Sequence, residues 1–258
     1  MEVRVVEEDY PDDPHRNLAV DEAVFREVEA GRSPTTLRFY RNRNAVILGC
    51  FQLAEEELDL DYAAKKQIEI AKRFTGGGAV YHDMGDLNFS VISKDSFGIG
   101  LNVERLFKTM MSGAVASLNV AGVPELAWGM NDVTSRKKKI MGAAATLKKG
   151  VVLFHAALLV NTDLNELASV LKVPGIKLKD KGVQTILERV ANIKELCGKD
   201  IEDVRKAILD GYAKELGFSY APGSLTDRER ALTDRLYSEK YTKDSWNRGR
   251  EFIHVEDA

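Results

Sequence analysis

Residues 72–83 read Lys72-Arg73-Phe74-Thr75-Gly76-Gly77-Gly78-Ala79-Val80-Tyr81-His82-Asp83, the most informative segment of the chain. Consecutive glycines let the backbone adopt positive φ and approach a ligand without a Cβ clash. Successive N–H groups in such a turn can bind an anion, and Arg73 can donate a fork of hydrogen bonds to a phosphate or carboxylate. Asp83 can contact Mg²⁺, a ribose or an amine. The segment predicts either an anion-binding loop or a glycine-rich hairpin whose polar neighbours are already satisfied.

Neither of two common phosphate-binding fingerprints is present in this segment. It lacks the lysine-serine/threonine ending of a P-loop and the spacing G-x-G-x-x-G of a dinucleotide site. The glycines alone therefore do not identify a nucleotide-binding fold.

Composition narrows the class of protein. The 258 residues are 44% apolar and 30% charged with a formal charge of −3, which predicts a globular chain and excludes a globally basic nucleic-acid-binding surface. Apolar runs are far shorter than a membrane span, and the N-terminus does not resemble a signal peptide. The two cysteines cannot form a disulfide framework or a four-thiolate zinc site. We therefore expect a cytoplasmic protein with neither membrane nor nucleic-acid partners.

Hydrophobic periodicity predicts a mixed α+β fold with helices packed on mixed β-sheets. Helices are expected over 20–31, 61–66, 103–118, 164–171 and 201–216. Strands are expected at Val3–Val6, Thr36–Tyr40, Ala45–Leu48, Ile68–Arg73, Ala79–Tyr81, Leu87–Ile92, Lys139–Ala144 and Val151–Val160. We expect one domain over 1–258, with a charged tail from about 220 to 258 that is helical over Thr226–Gly249.

A second informative segment begins at Asn131-Asp132 and continues as Arg136-Lys137-Lys138-Lys139-Ile140-Met141-Gly142-Ala143-Ala144. Four consecutive cations usually belong to a solvated loop. Lys139, however, opens a strand of small apolar residues, so its side chain can point inward. An inward ammonium suits a phosphate whose charge changes during a reaction. Gly142 and the alanines would leave room for a ligand beside the backbone.

Histidine and cysteine give weaker signals. His155, in Phe154-His155-Ala156, is more typical of a core or hairpin residue than of a ligand, and no two histidines have metal-ligand spacing. A zinc hydrolase is therefore disfavoured. Cys50 is either a nucleophile or a small buried residue at a strand end, and the second is favoured. Cys197 has no evident base.

An ordered series of motifs resembles the lipoate–protein ligase A family, within the biotin/lipoate ligase catalytic-domain fold of class II synthetase-like architecture. The residues of these motifs are most similar to those of the short archaeal, Thermoplasma-type branch of the family. The motifs are Asn17–Ala23, Gly49-x-x-Gln52 with Glu57, Arg73-x-x-Gly76-Gly77-Gly78 through Gly85, Asn131-Asp132, Lys139-x-x-Gly142-x-Ala144, His155, Arg189-x-x-Asn192-Ile193 and Tyr241–Trp246.

The resemblance implies a two-step reaction. The carboxylate of lipoate attacks the α-phosphorus of ATP to give lipoyl-adenylate and pyrophosphate, and an acceptor lysine then takes the lipoyl group with release of AMP. ATP with Mg²⁺ and lipoate are the implied substrates, and no tightly bound cofactor is expected. The implied acceptors are lipoyl domains of 2-oxoacid dehydrogenase E2 subunits and the H-protein of glycine cleavage.

The resemblance also assigns roles to residues. Lys139 is the expected catalytic residue, and Asp132 is the expected Mg²⁺ ligand. Contacts with ATP or the adenylate are assigned to Arg73, Gly76, Gly77, Gly78, Ala79, Val80, Tyr81, Asp83, Asn131, Asp132 and Lys139. Contacts with lipoate are assigned to Lys139, Gly76, His82, Gly142, Ala143 and His155.

The chain departs from the family pattern in several places. Met130 and Cys50 stand where many bacterial members have arginine, and Ala156 replaces a common glycine. Long bacterial ligases also continue into a C-terminal accessory domain beyond the length of this chain. We therefore expect a separately encoded accessory protein.

Alternative functions remain on the same fold. A cysteine-dependent octanoyltransferase needs a thiolate near Asn131 and Lys139, but residues 125–139 contain no cysteine. A biotin ligase is disfavoured because its arginine-glycine-arginine-glycine pattern is missing. A non-catalytic lipoyl- or adenylate-binding module is disfavoured by the presence of Lys139 beside an intact glycine segment.

Overall fold

The computed structural model describes residues 1–94, 97–172 and 179–256. The remaining residues of the domain predicted over 1–258, including the last two of its tail, lie outside the described residues. The strands are β1 Glu2–Val6, β2 Thr36–Tyr40, β3 Asn44–Leu48, β4 Glu69–Lys72, β5 Val80–Asp83, β6 Asp86–Lys94, β7 Leu126–Trp128, β8 Asp132–Ser135, β9 Lys138–Lys148, β10 Val151–Leu159 and β11 Ser219–Gly223.

Helices connect several of these strands along the chain. They are α1 Pro14–Glu29, α2 Ala54–Glu57, α3 Leu60–Lys65, α4 Val103–Val120, α5 Leu164–Val170, α6 Lys179–Arg189, α7 Ile193–Cys197, α8 Ile201–Leu216, α9 Asp227–Leu236 and α10 Asp244–Asn247, with a π-helical turn at Tyr237–Tyr241. The prediction of an α+β fold with mixed sheets is confirmed.

The large sheet has eight strands in the order β11-β1-β2-β6-β10-β9-β8-β7. Its central strands β6, β10 and β9 are antiparallel, whereas β1 pairs in parallel with both β2 and β11. The small sheet has the order β4-β3-β5, so the segment between β4 and β5 crosses the end of the central strand β3. That segment contains the three glycines, so the small sheet positions the loop predicted to bind a ligand.

Helices cover both faces of the large sheet. On one face α4 and α8 pack together over Phe89 and Phe154. The approach is close because Gly211 has no side chain; a Cβ there would lie 2.3 Å from Oγ of Ser117. On the other face α1 packs Val20 and Val24 against the sheet.

The helix predicted over 20–31 is present, but it begins six residues earlier than expected, at Pro14. The Asp13 side chain accepts a hydrogen bond from the backbone N–H of Arg16 at the start of α1. Gly31 has φ +72°, so the predicted stop at this residue is confirmed. The edge strands β7 and β11 were not predicted, because their side chains are mostly exposed and give no hydrophobic period. The four-residue strand β8, which lies between β7 and β9, was not predicted either.

Residues 246–255, here called the C-terminal strap, pack against the end of β4. The indole N–H of Trp246 donates to the carbonyl oxygen of Lys72 at 2.8 Å, and the backbone N–H of Lys72 donates to Oδ1 of Asn247 at 3.0 Å. The ammonium of Lys72 donates to the carbonyl of Gly249 at 2.7 Å. Val255 is buried, so the strap is held at both ends. It fixes the residue from which the glycine-containing segment starts.

Candidate active site

Residues 73–79, here called the glycine loop, connect β4 to β5 and fit closely against the end of β3. A Cβ on Gly49 would lie 2.1 Å from the carbonyl oxygen of Gly77. The backbone N–H of Gly49 donates to Oε1 of Gln52 at 2.9 Å, which fixes the chain at this point. Gly77 has φ +92°, a conformation that favours glycine. Both glycines are therefore required by the shape of the loop.

The buried guanidinium of Arg73 holds the glycine loop from inside. Its Nη2 donates to the carbonyls of Gly76 and Gly78 at 2.7 and 2.9 Å, and its Nη1 donates to the carbonyl of Ile47 at 3.1 Å. Burial lowers the pKa of Arg73 to about 10, so the group stays charged near neutral pH. Because the N–H and C=O of a trans peptide point in opposite directions, the amides of Gly77 and Ala79 face away from this cation. They can bind an anion there.

Two adjoining cavities lie beside the glycine loop. The inner cavity has a volume of about 80 Å³, and the outer cavity has a volume of about 320 Å³. Residues that line both are Gly78, Ala79, Val80, Lys139, Gly142 and Ala157. A ligand that occupies both cavities must therefore pass Lys139.

Lys139 lies over Gly142 at this junction. A Cβ on Gly142 would lie 2.9 Å from Nζ of Lys139, so the ammonium occupies the space that a side chain would fill. Nζ also contacts Oδ1 of Asp132 at 2.8 Å, and the Lys139 side chain is 38% exposed. The lysine is thus positioned at the junction and remains accessible to a ligand.

The floor of the inner cavity is formed by residues that pair with one another across four neighbouring strands of the large sheet. Tyr40 on β2 pairs with Asn88 on β6, Asn88 pairs with Ala157 on β10, and Ala157 pairs with Gly142 on β9. Partners in one row share a face of the sheet. The small residues at two of these positions leave the space above the sheet in which the cavity lies.

Two buried histidines line the inner cavity. Nε2 of His155 and Oγ1 of Thr75 share a hydrogen bond of 2.8 Å, which joins the sheet to the glycine loop. Nδ1 of His82 contacts Nδ2 of Asn42 at 3.0 Å. Burial lowers the pKa of His155 well below its ordinary value and lowers the pKa of His82 to about 3, and the charge of Arg73 acts in the same direction. Both imidazoles are neutral near pH 7.

His155 therefore predicts a pH dependence of stability. In the unfolded chain the imidazole binds a proton near pH 6.5, whereas in the folded protein it does not. The free energy of unfolding should fall as the pH drops below 6.5, by about 1.4 kcal/mol per pH unit for each such histidine. His155→Gln keeps a hydrogen-bonding side chain that does not titrate. Between pH 6 and 4.5, the slope of its free energy of unfolding against pH should therefore be lower than that of the wild type by the contribution of about one proton. Urea unfolding at several pH values measures this; equal slopes for both proteins would contradict it.

The structure brings most of the predicted site residues together. Those that line the inner cavity are Arg73, Gly78, Ala79, Val80, His82, Asn131, Lys139, Gly142, Ala143 and His155, and Tyr81 lines the outer one. Gly76 and Gly77 belong to the loop but line neither cavity, and Asp132 reaches the site through its contact with Lys139. The roles assigned to these residues stay predictions.

Asp83 lies elsewhere. Its carboxylate accepts hydrogen bonds of 2.7 Å from the backbone N–H groups of Gly85 and Asp163, and it lines neither cavity. The structure therefore does not bring Asp83 to the site where it was expected to contact the nucleotide. The reason is that its oxygens join β5 to the segment before α5.

Sequence reasoning missed Tyr40, Asp86 and Asn88, which also line the cavities. Asp86, Asn88 and Ser90 alternate with apolar residues along β6. This period of two is a signal that one face of the strand is polar although the strand is buried. Burial raises the pKa of Asp86 well above its ordinary value.

Neither cysteine of the chain lines these cavities. Cys50 lies at the end of β3, where its backbone N–H donates to the carbonyl of Thr75 at 2.9 Å, and burial raises the pKa of its thiol. Cys197 lies in α7, where its thiol contacts the carbonyl of Ile193. The interpretation of Cys50 as a small buried residue fits this placement.

In the described ranges, no group of three or more His, Cys, Asp or Glu side chains is arranged to hold a metal ion, and no helix has the length and apolarity needed to cross a bilayer. Asp132 offers one carboxylate beside the outer cavity. That fits a Mg²⁺ ion that is held mainly by the phosphates of a nucleotide.

Comparison with known proteins identifies relatives along nearly the whole chain. The family model of the lipoyl protein ligase A/B catalytic domain matches residues 13–213. The lipoate-protein ligase A subunit 1 of Thermoplasma acidophilum is 41% identical over 259 residues, covering 96% of this chain and 97% of the relative. The octanoyltransferase LipM of Clostridioides difficile is 30% identical over 257 residues, covering 91% of this chain and 94% of that protein.

Comparison with solved structures identifies relatives of the same kind. One, from work on a bi-partite lipoate protein ligase and its E2 lipoyl domain from T. acidophilum, has a TM-score of 0.93 and 42% identity, covering 99% of this chain and 100% of that chain. A lipoate-protein ligase A bound with ATP has a TM-score of 0.87 and 39% identity, covering 97% and 100%. A T. acidophilum protein with bound lipoic acid has a TM-score of 0.84 and 38% identity, covering 96% and 98%. The chain belongs to the lipoyl protein ligase A/B catalytic-domain family.

Proposed function

We propose that this protein is an ATP-dependent lipoate–protein ligase. The observation that supports this most directly is the position of the Lys139 ammonium at the junction of two cavities. The inner cavity lies over the large sheet, is lined in part by Leu18 and Ile47, and suits an acyl chain. The outer cavity is larger and has room for a nucleotide, and relatives of this chain are known with ATP and with lipoic acid bound.

In the first step, an oxygen of the lipoate carboxylate attacks the α-phosphorus of ATP and pyrophosphate leaves. Two anions must approach each other, and negative charge increases on the phosphate oxygens as the bond forms. Lys139 lies where it can contact both groups, so its charge offsets the repulsion and stabilises the transition state. Asp132 is the residue that would hold Mg²⁺, which neutralises phosphate charge when bound.

In the second step, the amine of an acceptor lysine attacks the acyl carbon of the adenylate. An amide forms, and AMP and a proton leave. We propose lipoyl domains of 2-oxoacid dehydrogenase E2 subunits and the glycine cleavage H-protein as acceptors. The prediction of one catalytic domain over 1–258 is part of the same proposal.

An octanoyltransferase is the second candidate, because LipM of C. difficile is 30% identical to this chain. That chemistry, in its cysteine-dependent form, needs a thiolate beside the acyl group. Cys50 and Cys197 line neither cavity, and burial raises the pKa of the Cys50 thiol. The lysine-centred site therefore favours the ligase.

We also propose that a separately encoded accessory protein completes the activity. The T. acidophilum relative at 41% identity is a subunit 1, and this chain covers 97% of it. The related structure with TM-score 0.93 comes from work on a bi-partite ligase. Alone, this chain should form the adenylate slowly.

One assay tests these proposals. Purified protein is incubated with an apo lipoyl domain and either lipoate with ATP and Mg²⁺, or octanoyl-acyl carrier protein without ATP, and modification is read by mass spectrometry. We expect ATP-dependent lipoylation that increases strongly when the accessory protein is added. Transfer of octanoyl without ATP would overturn the ligase assignment, and full turnover by the chain alone would overturn the need for a partner.

A further inference from the structure

The inner cavity ends on polar side chains. Tyr40, His82 and Asn88 line it and are 4%, 3% and 1% exposed. A cavity that accepts only an all-carbon chain has no need of buried hydrogen-bonding groups at this end. Their presence indicates that the ligand also carries hydrogen-bonding atoms there.

Two of these side chains carry buried polar atoms without a hydrogen-bond partner in the described part of the chain. These atoms are Nδ2 of Asn88 and Nε2 of His82. Buried donors without partners cost free energy unless a ligand or a water satisfies them. Oδ2 of Asp86 lies 4.0 Å from Nε2 of His82, which is beyond hydrogen-bond distance.

A chain of amides determines where the proton of His82 lies. Nη2 of Arg38 donates to Oδ1 of Asn17 at 2.6 Å, Nδ2 of Asn17 donates to Oδ1 of Asn42 at 2.8 Å, and Nδ2 of Asn42 donates to Nδ1 of His82 at 3.0 Å. Since arginine can only donate, each amide orientation follows from the one before. Nδ1 of His82 is therefore an acceptor, and its Nε2 carries the proton. The cavity is lined by two residues that each offer an unpaired donor.

The geometry of the sheet gives the distance from the reacting end. Asn88 lies two strands from Gly142 in the same row, which is about 10 Å at the usual strand spacing. Lys139, which lies over Gly142, is where the carboxylate is expected. An extended lipoyl chain with its carboxylate at Lys139 has a comparable length, so its dithiolane ring can reach Asn88.

We infer that Asn88 is a specificity-determining residue, whose amide selects acyl chains that carry sulfur acceptors at the far end over all-carbon chains of similar length. The inference rests on the proposed function. A disulfide sulfur accepts a weak hydrogen bond, whereas octanoate leaves the donors of Asn88 and His82 unpaired. The wild-type protein should therefore prefer lipoate to octanoate by about tenfold in kcat/KM.

The test compares Asn88→Leu and Asn88→Ala with the wild type. The leucine removes the donor and keeps bulk, and the alanine removes the donor and leaves space, so the pair separates polarity from volume. Both variants should lose most of the preference for lipoate, mainly through a higher KM for lipoate. Asn192→Ala is the matched control, because the amide of Asn192 is equally buried but pairs with the backbone of Thr162 at 2.9 Å outside the cavities. It should lower stability and leave the substrate ratio unchanged.

Calorimetric titration of lipoate and octanoate into the same proteins gives a second readout. If the wild type binds lipoate more tightly and both Asn88 variants lose this difference, the inference holds even where the ATP-dependent reaction fails. If the ratio is the same in the wild type and both variants, an ordered water satisfies Asn88 and the inference is overturned. A wild-type preference for octanoate would also overturn it.

Discussion

Replacement of Lys139 by alanine is expected to lower the rate of adenylate formation by at least about a hundredfold. In the proposed reaction the ammonium lies between two anions that repel each other, and neither Asp132 nor the loop amides can supply a positive charge there. The side chain is 38% exposed and lies outside the packed core, so the free energy of unfolding should change by less than about 0.5 kcal/mol. Release of pyrophosphate from ATP in the presence of lipoate and the accessory protein measures the rate.

Lys138→Ala is the matched control for this prediction. Lys138 is the neighbouring lysine on β9, is exposed, and lines neither cavity. The Lys138→Ala variant removes the same charge from the same run of cations, so a general effect of net charge would appear in both variants. Wild-type pyrophosphate release from Lys139→Ala, or an equal loss in the two variants, would show that the lysine assignment is wrong.

The second large effect is expected for Gly49→Ala. A Cβ at this position would lie 2.1 Å from the carbonyl oxygen of Gly77 and 3.1 Å from the carbonyl carbon of Gly76. Both contacts are with backbone, so the glycine loop must shift as a whole to relieve them. We expect a loss of stability of about 1–3 kcal/mol and a rise in the KM for ATP of at least about tenfold.

Gly129→Ala provides the comparison, because a Cβ there meets nothing within 4 Å. It should leave stability and the KM for ATP close to the wild-type values. Denaturant unfolding and initial-rate kinetics measure the two quantities. If Gly49→Ala resembled Gly129→Ala in both, the close fit between β3 and the glycine loop would have no consequence for nucleotide binding.

The parts of the fold that could be predicted are those in which neighbouring residues carry the signal. The stripe of apolar residues in α4 and the end of α1 near Gly31 are local signals, and both agree with the structure. The glycine loop and Lys139 were found because their spacing along the chain carries the family motif. Tyr40 and Asn88 were not found, because they meet Gly142 only through strand register.

Arg73 shows a second limit of reading residues in order. A cation before three glycines predicts a direct contact with an anion, and this stays a prediction; in the structure its guanidinium lines the inner cavity and donates to loop carbonyls and to Ile47. The same residue type at the same position can bind a ligand or hold the loop that binds it. Only the positions of the carbonyls, which depend on the packing of β3 against the loop, distinguish the two.

The C-terminal strap has a consequence for biosynthesis. Trp246, Asn247 and Gly249 supply the hydrogen bonds that hold Lys72, so the start of the glycine loop lacks these contacts until residues 246–249 have been synthesised. A nascent chain that already contains Lys139 and both cavity walls is still missing this support. The support of the glycine loop therefore forms only after residues that lie more than 170 positions further along the chain are in place.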